Sequence, residues 1–234
     1  MKLLIDIGNT SAKIAIADGK EIIHTEHVTE TWADVIRRLL LSYPLERCII
    51  SNVAAADPTL DAALSACGIP TLWLSDTTDC ALIGIPKGYG ADRIAADLGA
   101  FAQAKGRTTL VIDAGTCITY DLIAGDGHIL SGVISPGIQL RLKAMHEHTA
   151  LLPLLEPDFD TPLMGHDTQT HMMSSAIHGT RFEVEGYIRT LAKQYPDLIV
   201  YMTGGNTLQP IDKTTVEIIH DPELLFKGLN SIAD

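Results

Sequence analysis

LVIDAGTCITYD, residues Leu110–Asp121, is the stretch that decides the fold. Leu110-Val111-Ile112 has the composition of a strand buried on both faces, and the run breaks at Asp113-Ala114-Gly115-Thr116 before the chain turns extended again. That break has the chemistry of a phosphate loop. Gly115 brings no side chain and can take a positive φ, so a polyphosphate can approach the backbone N–H groups. Thr116 adds a hydroxyl donor, and Asp113 stands where a cation would bridge carboxylate and phosphate. The N-terminus carries the same pattern, Leu3-Leu4-Ile5-Asp6-Ile7-Gly8-Asn9-Thr10, about half a chain earlier.

The agreement runs past the loops. Lys13–Ala17, a turn at Asp18-Gly19 and Glu21–Ile23 match Ile118–Ile123, a turn at Gly125-Asp126-Gly127 and His128–Leu130. Each half therefore opens strand, loop, strand, turn, strand. One Asp-x-Gly turn beside a threonine is more often a strand end than a nucleotide site; two copies in matching strand contexts favour a duplicated nucleotide clasp. The predicted domains are 1–106 and 107–234.

A chain of 234 residues suffices for two small domains. A net charge of −12 argues against nucleic acid or an anionic membrane as partner, since both demand clustered Lys and Arg. Lys13 is the one basic residue near the first loop, so bound metals must neutralise much of any phosphate charge. The four cysteines, Cys48, Cys67, Cys80 and Cys117, form no C-x-x-C pair and read as small buried hydrophobes with free thiols. No signal-peptide core or membrane-length run interrupts the sequence, which predicts a cytoplasmic protein.

Between the loops, helices are expected over 32–43, from Asp57-Pro58 to Cys67, and from Gly90 towards Gly106, with strands at Arg47–Val53 and Thr71–Leu74. Cys80–Gly90 is punctuated like a loop. Asp92 and Arg93 open the third helix. An acid in the first turn offsets the helix dipole and the arginine can be solvated, but the pair also suits a base beside an anion clamp. In the second half a helix carries Ile138, Leu142 and Met145, and His146 and His148 fall on different sides of it, as surface residues. Glu156–Asp167 reads as a connector. The longest helix is expected over 171–195, with Gly179 and Gly186 permitting close packing. Leu198–Met202 leads as a strand into Thr203-Gly204-Gly205-Asn206 and takes the place that Ile49–Asn52 holds in the first half. Strands with interposed helices make an α/β protein.

Together, Asp6-Ile7-Gly8-Asn9-Thr10, Gly90-Ala91-Asp92-Arg93, Asp113-Ala114-Gly115-Thr116 with Thr119 and Asp121, Gly132–Gly137, Thr149–Pro153 and Thr203-Gly204-Gly205 resemble the type III pantothenate kinases over nearly the whole chain. The resemblance implies two RNase H-like domains of the actin, sugar-kinase and Hsp70 superfamily, related by internal duplication, and a homodimer. It implies transfer of the ATP γ-phosphoryl to the primary hydroxyl of pantothenate, the first step towards coenzyme A. On that resemblance ATP lies on Asp6, Ile7, Gly8, Asn9, Thr10, Ser11, Ala12, Lys13 and Thr116, and Asp113 is the ligand of a monovalent cation, potassium or ammonium, besides magnesium. Gly90, Ala91, Asp92 and Arg93 meet pantothenate, with Asp92 as the base, and Thr168 reaches the substrate of the neighbouring subunit.

The family's usual tyrosine upstream of this block falls at Ile83, so Tyr89 substitutes from a shifted loop or the contact is missing. Cys117 and Ser131 replace other small residues in what reads as buried strand. A non-catalytic ATP-binding regulator and a kinase of another small alcohol are the competing functions. Retention of Asp92 and Arg93 and the lack of a basic helix disfavour the regulator, and Arg93 favours an anionic substrate.

Overall fold

The computed structural model describes residues 1–205 and 216–232, and Asn206 lies outside them. The chain divides into two units. One comprises Met1–Gly106, Ile123–Ile129 and the chain from Glu223 onward; the other comprises Arg107–Leu122 and Leu130–Pro222.

The first unit is built on β1 (Lys2–Ile7), β2 (Ala12–Asp18), β3 (Glu21–His27), β4 (Arg47–Asn52) and β5 (Thr71–Trp73), in the order β3-β2-β1-β4-β5. β1 runs antiparallel to β2 and parallel to β4, so it is central and buried on both faces. Leu3, Ile5 and Ile7 face α1 (Trp32–Ser42) and α2 (Pro58–Cys67), whose Trp32, Val35, Ile36, Leu39, Leu60 and Leu64 complete one core. Both helices start where their caps dictate. Thr31 accepts from the Asp34 N–H, and Asp57 accepts from that of Thr59 with Pro58 in the first turn. The Asp57 carboxylate also accepts from Trp32 Nε1 at 2.9 Å, which joins the two helix starts. The Thr59 hydroxyl and N–H hold its carboxyl below the usual range.

On the other face lie α3 (Ala91–Gln103) and α6 (Leu224–Ser231), which cross backbone to backbone. A Cβ on Gly99 would run into the Leu224 carbonyl, and one on Gly228 into that of Ala95.

The second unit repeats the plan with β6 (Thr109–Ala114), β7 (Cys117–Ile123), β8 (Ile129–Pro136), β9 (Ile199–Thr203) and β10 (Glu217–His220), in the order β10-β9-β6-β7-β8. Reversed, this is the order of the first sheet. β9 lies parallel to β6 as β4 lies to β1, which is the structural counterpart of the sequence repeat. Leu110, Ile112, Ile118, Tyr120, Val200 and Met202 face α4 (Ile138–Glu147) and α5 (Thr168–Gln194).

Several expectations need correction. α5 begins at Thr168 rather than near His171, because Asp167 and Thr170 form a reciprocal capping box. A Cβ on Gly179 or Gly186 would meet nothing within 4 Å among the described residues, so neither mediates close packing there. Only Cys48 is fully buried, and burial pushes its thiol up to about 12. Cys67 and Cys117 are exposed and Cys80 is intermediate, although all four are free thiols. Cys117 and Ser131 are therefore not in buried strand: the first opens β7 beside a loop, and the second lies on the exposed strand β8. β10 and α6 have no counterpart in the sequence-based reading.

Candidate active site

The loop after β1 is held by a hydrogen bond from the Gly8 N–H to the Ser11 carbonyl at 3.0 Å. Asp6 is half-buried at the strand end, in register with Lys13 on one side and the buried Ser51 on the other. Lys13 thus occupies the cross-strand position opposite Asp6. Asn9, Thr10 and Ser11 are exposed. Ile7 packs into the core and Ala12 against it, so only their backbone groups are left for a ligand.

The loop after β6 is shorter, with the Gly115 N–H donating to the Cys117 carbonyl at 3.0 Å. Asp113 sits in register with Thr203, as Asp6 does with Ser51, and Thr116 is exposed. Neither Gly8 nor Gly115 adopts a positive φ. A Cβ would stand 3.4 Å from the Ser11 carbonyl at Gly8 and 3.6 Å from the Cys117 carbonyl at Gly115, ordinary or slightly tight contacts. Backbone conformation therefore does not demand glycine in these loops, contrary to the expectation for Gly115. What glycine provides there is the absence of a side chain over the loop backbone.

A third contact shapes the second loop. The Gly137 N–H, at the start of α4, donates to the Thr116 carbonyl at 3.0 Å, and a Cβ on Gly137 would come within 2.5 Å of that oxygen. From the other side of Gly137, Arg141 donates through Nε to the Pro136 carbonyl at 2.8 Å and through Nη2 to Ser135 Oγ at 3.0 Å. Arg141 also pairs with Glu183 on α5, whose other oxygen accepts from the Tyr120 hydroxyl at 2.9 Å. Burial opposes the Glu183 charge, but bonds from Arg141, Ser135 and Tyr120 outweigh it and hold the carboxyl below its usual range. Burial and the adjoining carboxylate raise the Tyr120 hydroxyl.

The start of α3 gathers the remaining residues. Gly90 caps the helix without a side-chain bond, and a Cβ there would come within 2.5 Å of Asp92 Oδ1. Asp92 Oδ1 accepts from the Arg93 N–H at 2.8 Å, which fixes the carboxylate in the first helical turn. The Arg93 guanidinium lies 4.1 Å from the centre of the Tyr89 ring, a cation–π contact, and the Tyr89 hydroxyl donates to Asp97 Oδ2 at 2.9 Å. Asp97 is fully buried. Ala91 is buried against the core and offers no side-chain chemistry.

Ile83 is engaged elsewhere. Its N–H donates to the Gly127 carbonyl and its carbonyl accepts from Ile129, each at 2.9 Å, while Tyr89 stacks on Arg93. Thr168 is the exposed first residue of α5, close in sequence to Gly165, whose missing side chain lets the chain fold against the Thr170 and His171 backbone.

Sequence reasoning missed Asp97, Arg141 and Glu183. Asp97 carried a signal, a lone acid one helical turn after Arg93 on an otherwise apolar stretch of helix. Glu183 lies far from the loops in sequence and carried none.

The family model described as type III pantothenate kinase matches residues 2–190. A type III pantothenate kinase of Bacteroides fragilis (strain YCH46) is 37% identical, the alignment spanning 99% of this chain and 97% of the relative. One from Phocaeicola vulgatus is 38% identical over 99% of this chain and 97% of its own length. Among solved structures, a ROK family glucokinase from Streptomyces griseus, in complex with glucose and AMPPNP, is similar in fold. Its TM-score is 0.50 at 12% identity, covering 99% of this chain and 98% of that one.

Proposed function

We propose the following residue roles from the premise that this chain belongs to the type III pantothenate kinases. It is a phosphotransferase that uses ATP to phosphorylate pantothenate, the opening step of coenzyme A biosynthesis. Asp92 is the base. A primary alcohol is a poor nucleophile near neutral pH, so a carboxylate within reach must take its proton as the new P–O bond forms. Arg93 meets the substrate carboxylate, with Gly90 and Ala91 supplying the backbone around it. The observation that carries this reading is the arrangement at the start of α3, where Asp92 is oriented by the Arg93 N–H and Arg93 is held over Tyr89. A coupled ADP-release assay over a panel of small alcohols tests it. Turnover confined to pantothenate supports the assignment, and turnover of a neutral sugar instead would overturn it.

Tyr89 takes the part of the tyrosine that the family usually carries at the position of Ile83. Tyr89→Phe removes its bond to Asp97 and loosens the platform under Arg93. The Michaelis constant for pantothenate is expected to rise about fivefold to tenfold, the effect of one charge-assisted bond, with that for ATP unchanged. Steady-state kinetics in each substrate check this.

The phosphates lie on the loop of Asp6–Lys13 and on Thr116. The carboxylate and hydroxyl oxygens of Asp113, Thr116 and Thr203 are the donor chemistry that hard cations take. Asp113 would hold the monovalent cation, potassium or ammonium. Magnesium would be held mainly through ATP oxygens. Such ions would supply the positive charge that a chain of net charge −12 lacks. Asp113→Ala is expected to abolish the dependence of rate on potassium, read by titrating KCl at constant ionic strength. A preserved potassium response removes Asp113 from that role.

The working form is a cytoplasmic homodimer, with Thr168 reaching the partner's substrate. Exposed apolar side chains such as Ile134, Leu151, Met164 and Phe182 support an interface on the second unit. No described helix is long and apolar enough to cross a membrane. The net charge of −12 argues against nucleic acid.

A further inference from the structure

We propose that Arg141 and Glu183 are positioning residues that hold the Gly115–Thr116 loop in its nucleotide-binding shape, an inference that rests on the reading of that loop as a phosphate site. The loop is flanked by two segments, the Pro136–Gly137 turn before α4 and strand β7, which runs on from Cys117 through Tyr120. Gly137 is bonded directly to the Thr116 carbonyl, and Arg141 grips the turn through the Pro136 carbonyl and Ser135. Tyr120 lies on β7, and its hydroxyl donates to Glu183 while its ring packs on Tyr187 at 4.5 Å between centroids. One Glu183 carboxylate therefore ties both flanks, through Arg141 on one side and Tyr120 on the other.

Geometry separates this arrangement from a surface ion pair. Glu183 and Arg141 are only 25% and 23% exposed, and Arg141 uses its fork on three different acceptors. A planar guanidinium can satisfy a carbonyl, a hydroxyl and a carboxylate at once from one fixed position, whereas a lysine ammonium is a single point charge. α5 is the longest helix of the molecule and is packed into the core of the second unit. It offers a rigid anchor from which loop geometry is set.

The test uses full-length Glu183→Gln, Arg141→Met and Arg141→Lys, with Thr116→Ala as the reference. The Michaelis constant and the directly titrated dissociation constant for ATP are expected to rise about tenfold in Glu183→Gln and Arg141→Met. The pantothenate constant and kcat at saturating ATP should hold. Arg141→Lys keeps the charge and should recover part of the loss. A merely structural role would instead lower the melting temperature and raise both Michaelis constants together, and that result overturns the proposal, as does unchanged ATP affinity. Should Arg141→Met fail to fold, Glu183→Gln decides by the same criteria. If Thr116→Ala weakens ATP binding while the Arg141 and Glu183 variants do not, the positioning role alone fails. If Thr116→Ala leaves ATP affinity untouched, the phosphate-loop reading fails and the proposal with it.

Discussion

Asp92→Asn is expected to abolish turnover while ATP still binds. Asparagine has nearly the shape of aspartate, and its amide oxygen can accept from the Arg93 N–H as Asp92 Oδ1 does at 2.8 Å, so the start of α3 should stay in place. What disappears is the capacity to take a proton. General-base catalysis contributes about 100-fold to 10,000-fold, and an alcohol attacking a phosphoryl group has no alternative acceptor of comparable basicity held in place. The loss should fall on kcat rather than on either Michaelis constant, because the interaction matters only as the hydroxyl ionises. ADP-release kinetics paired with calorimetric ATP titration measure both halves. An undiminished rate would take Asp92 out of the base role, and lost ATP binding would mean the substitution had acted by distortion.

The second large effect lies away from the chemistry. Gly228→Ala puts a methyl group where the Ala95 carbonyl already sits, so α6 must move off α3. Backbone cannot swing aside as a flexible side chain does, and such overpacking costs about 1–3 kcal/mol or more. In a domain of this size that corresponds to a melting temperature roughly 5–10 °C lower. α3 carries Asp92 and Arg93 on its first turn, so turnover should fall with stability. Gly99→Ala should behave alike, since its Cβ would strike the Leu224 carbonyl from the opposite helix. Thermal unfolding followed by circular dichroism decides. An unshifted midpoint would show that the two helices can separate at little cost.

The repeat could be read in one dimension because each half buries a central strand on both faces, which calls for the continuous apolar runs Leu3–Ile5 and Leu110–Ile112, each followed by an aspartate. The helix start at Asp57-Pro58 was equally legible, being local in sequence. The start of α5 was not read correctly, since Thr168 precedes the apolar stripe and only the Asp167–Thr170 reciprocal bonds bring it into the helix. Cys67, Cys80 and Cys117 are less buried than expected, while Cys48 is buried and all four are free thiols as expected. Residue type suggests burial, but Cys117 follows directly on a two-residue loop, where the chain has just turned at the surface.

By itself the sequence determined the duplicated strand–loop–strand plan, the two aspartate-ended loops and the acid–arginine pair at a helix start. All of these are patterns of neighbouring residues whose spacing is fixed by backbone periodicity. The tertiary structure alone decided that α6 returns to the first unit against α3, that Tyr89 and not Ile83 stacks on Arg93, and that Glu183 reaches Arg141 and Tyr120. Those partners are distant in sequence or depend on which way a loop turns. Their pairing follows from close approach of backbones and from the need of partly buried charges for partners, and neither leaves a periodic mark in the chain.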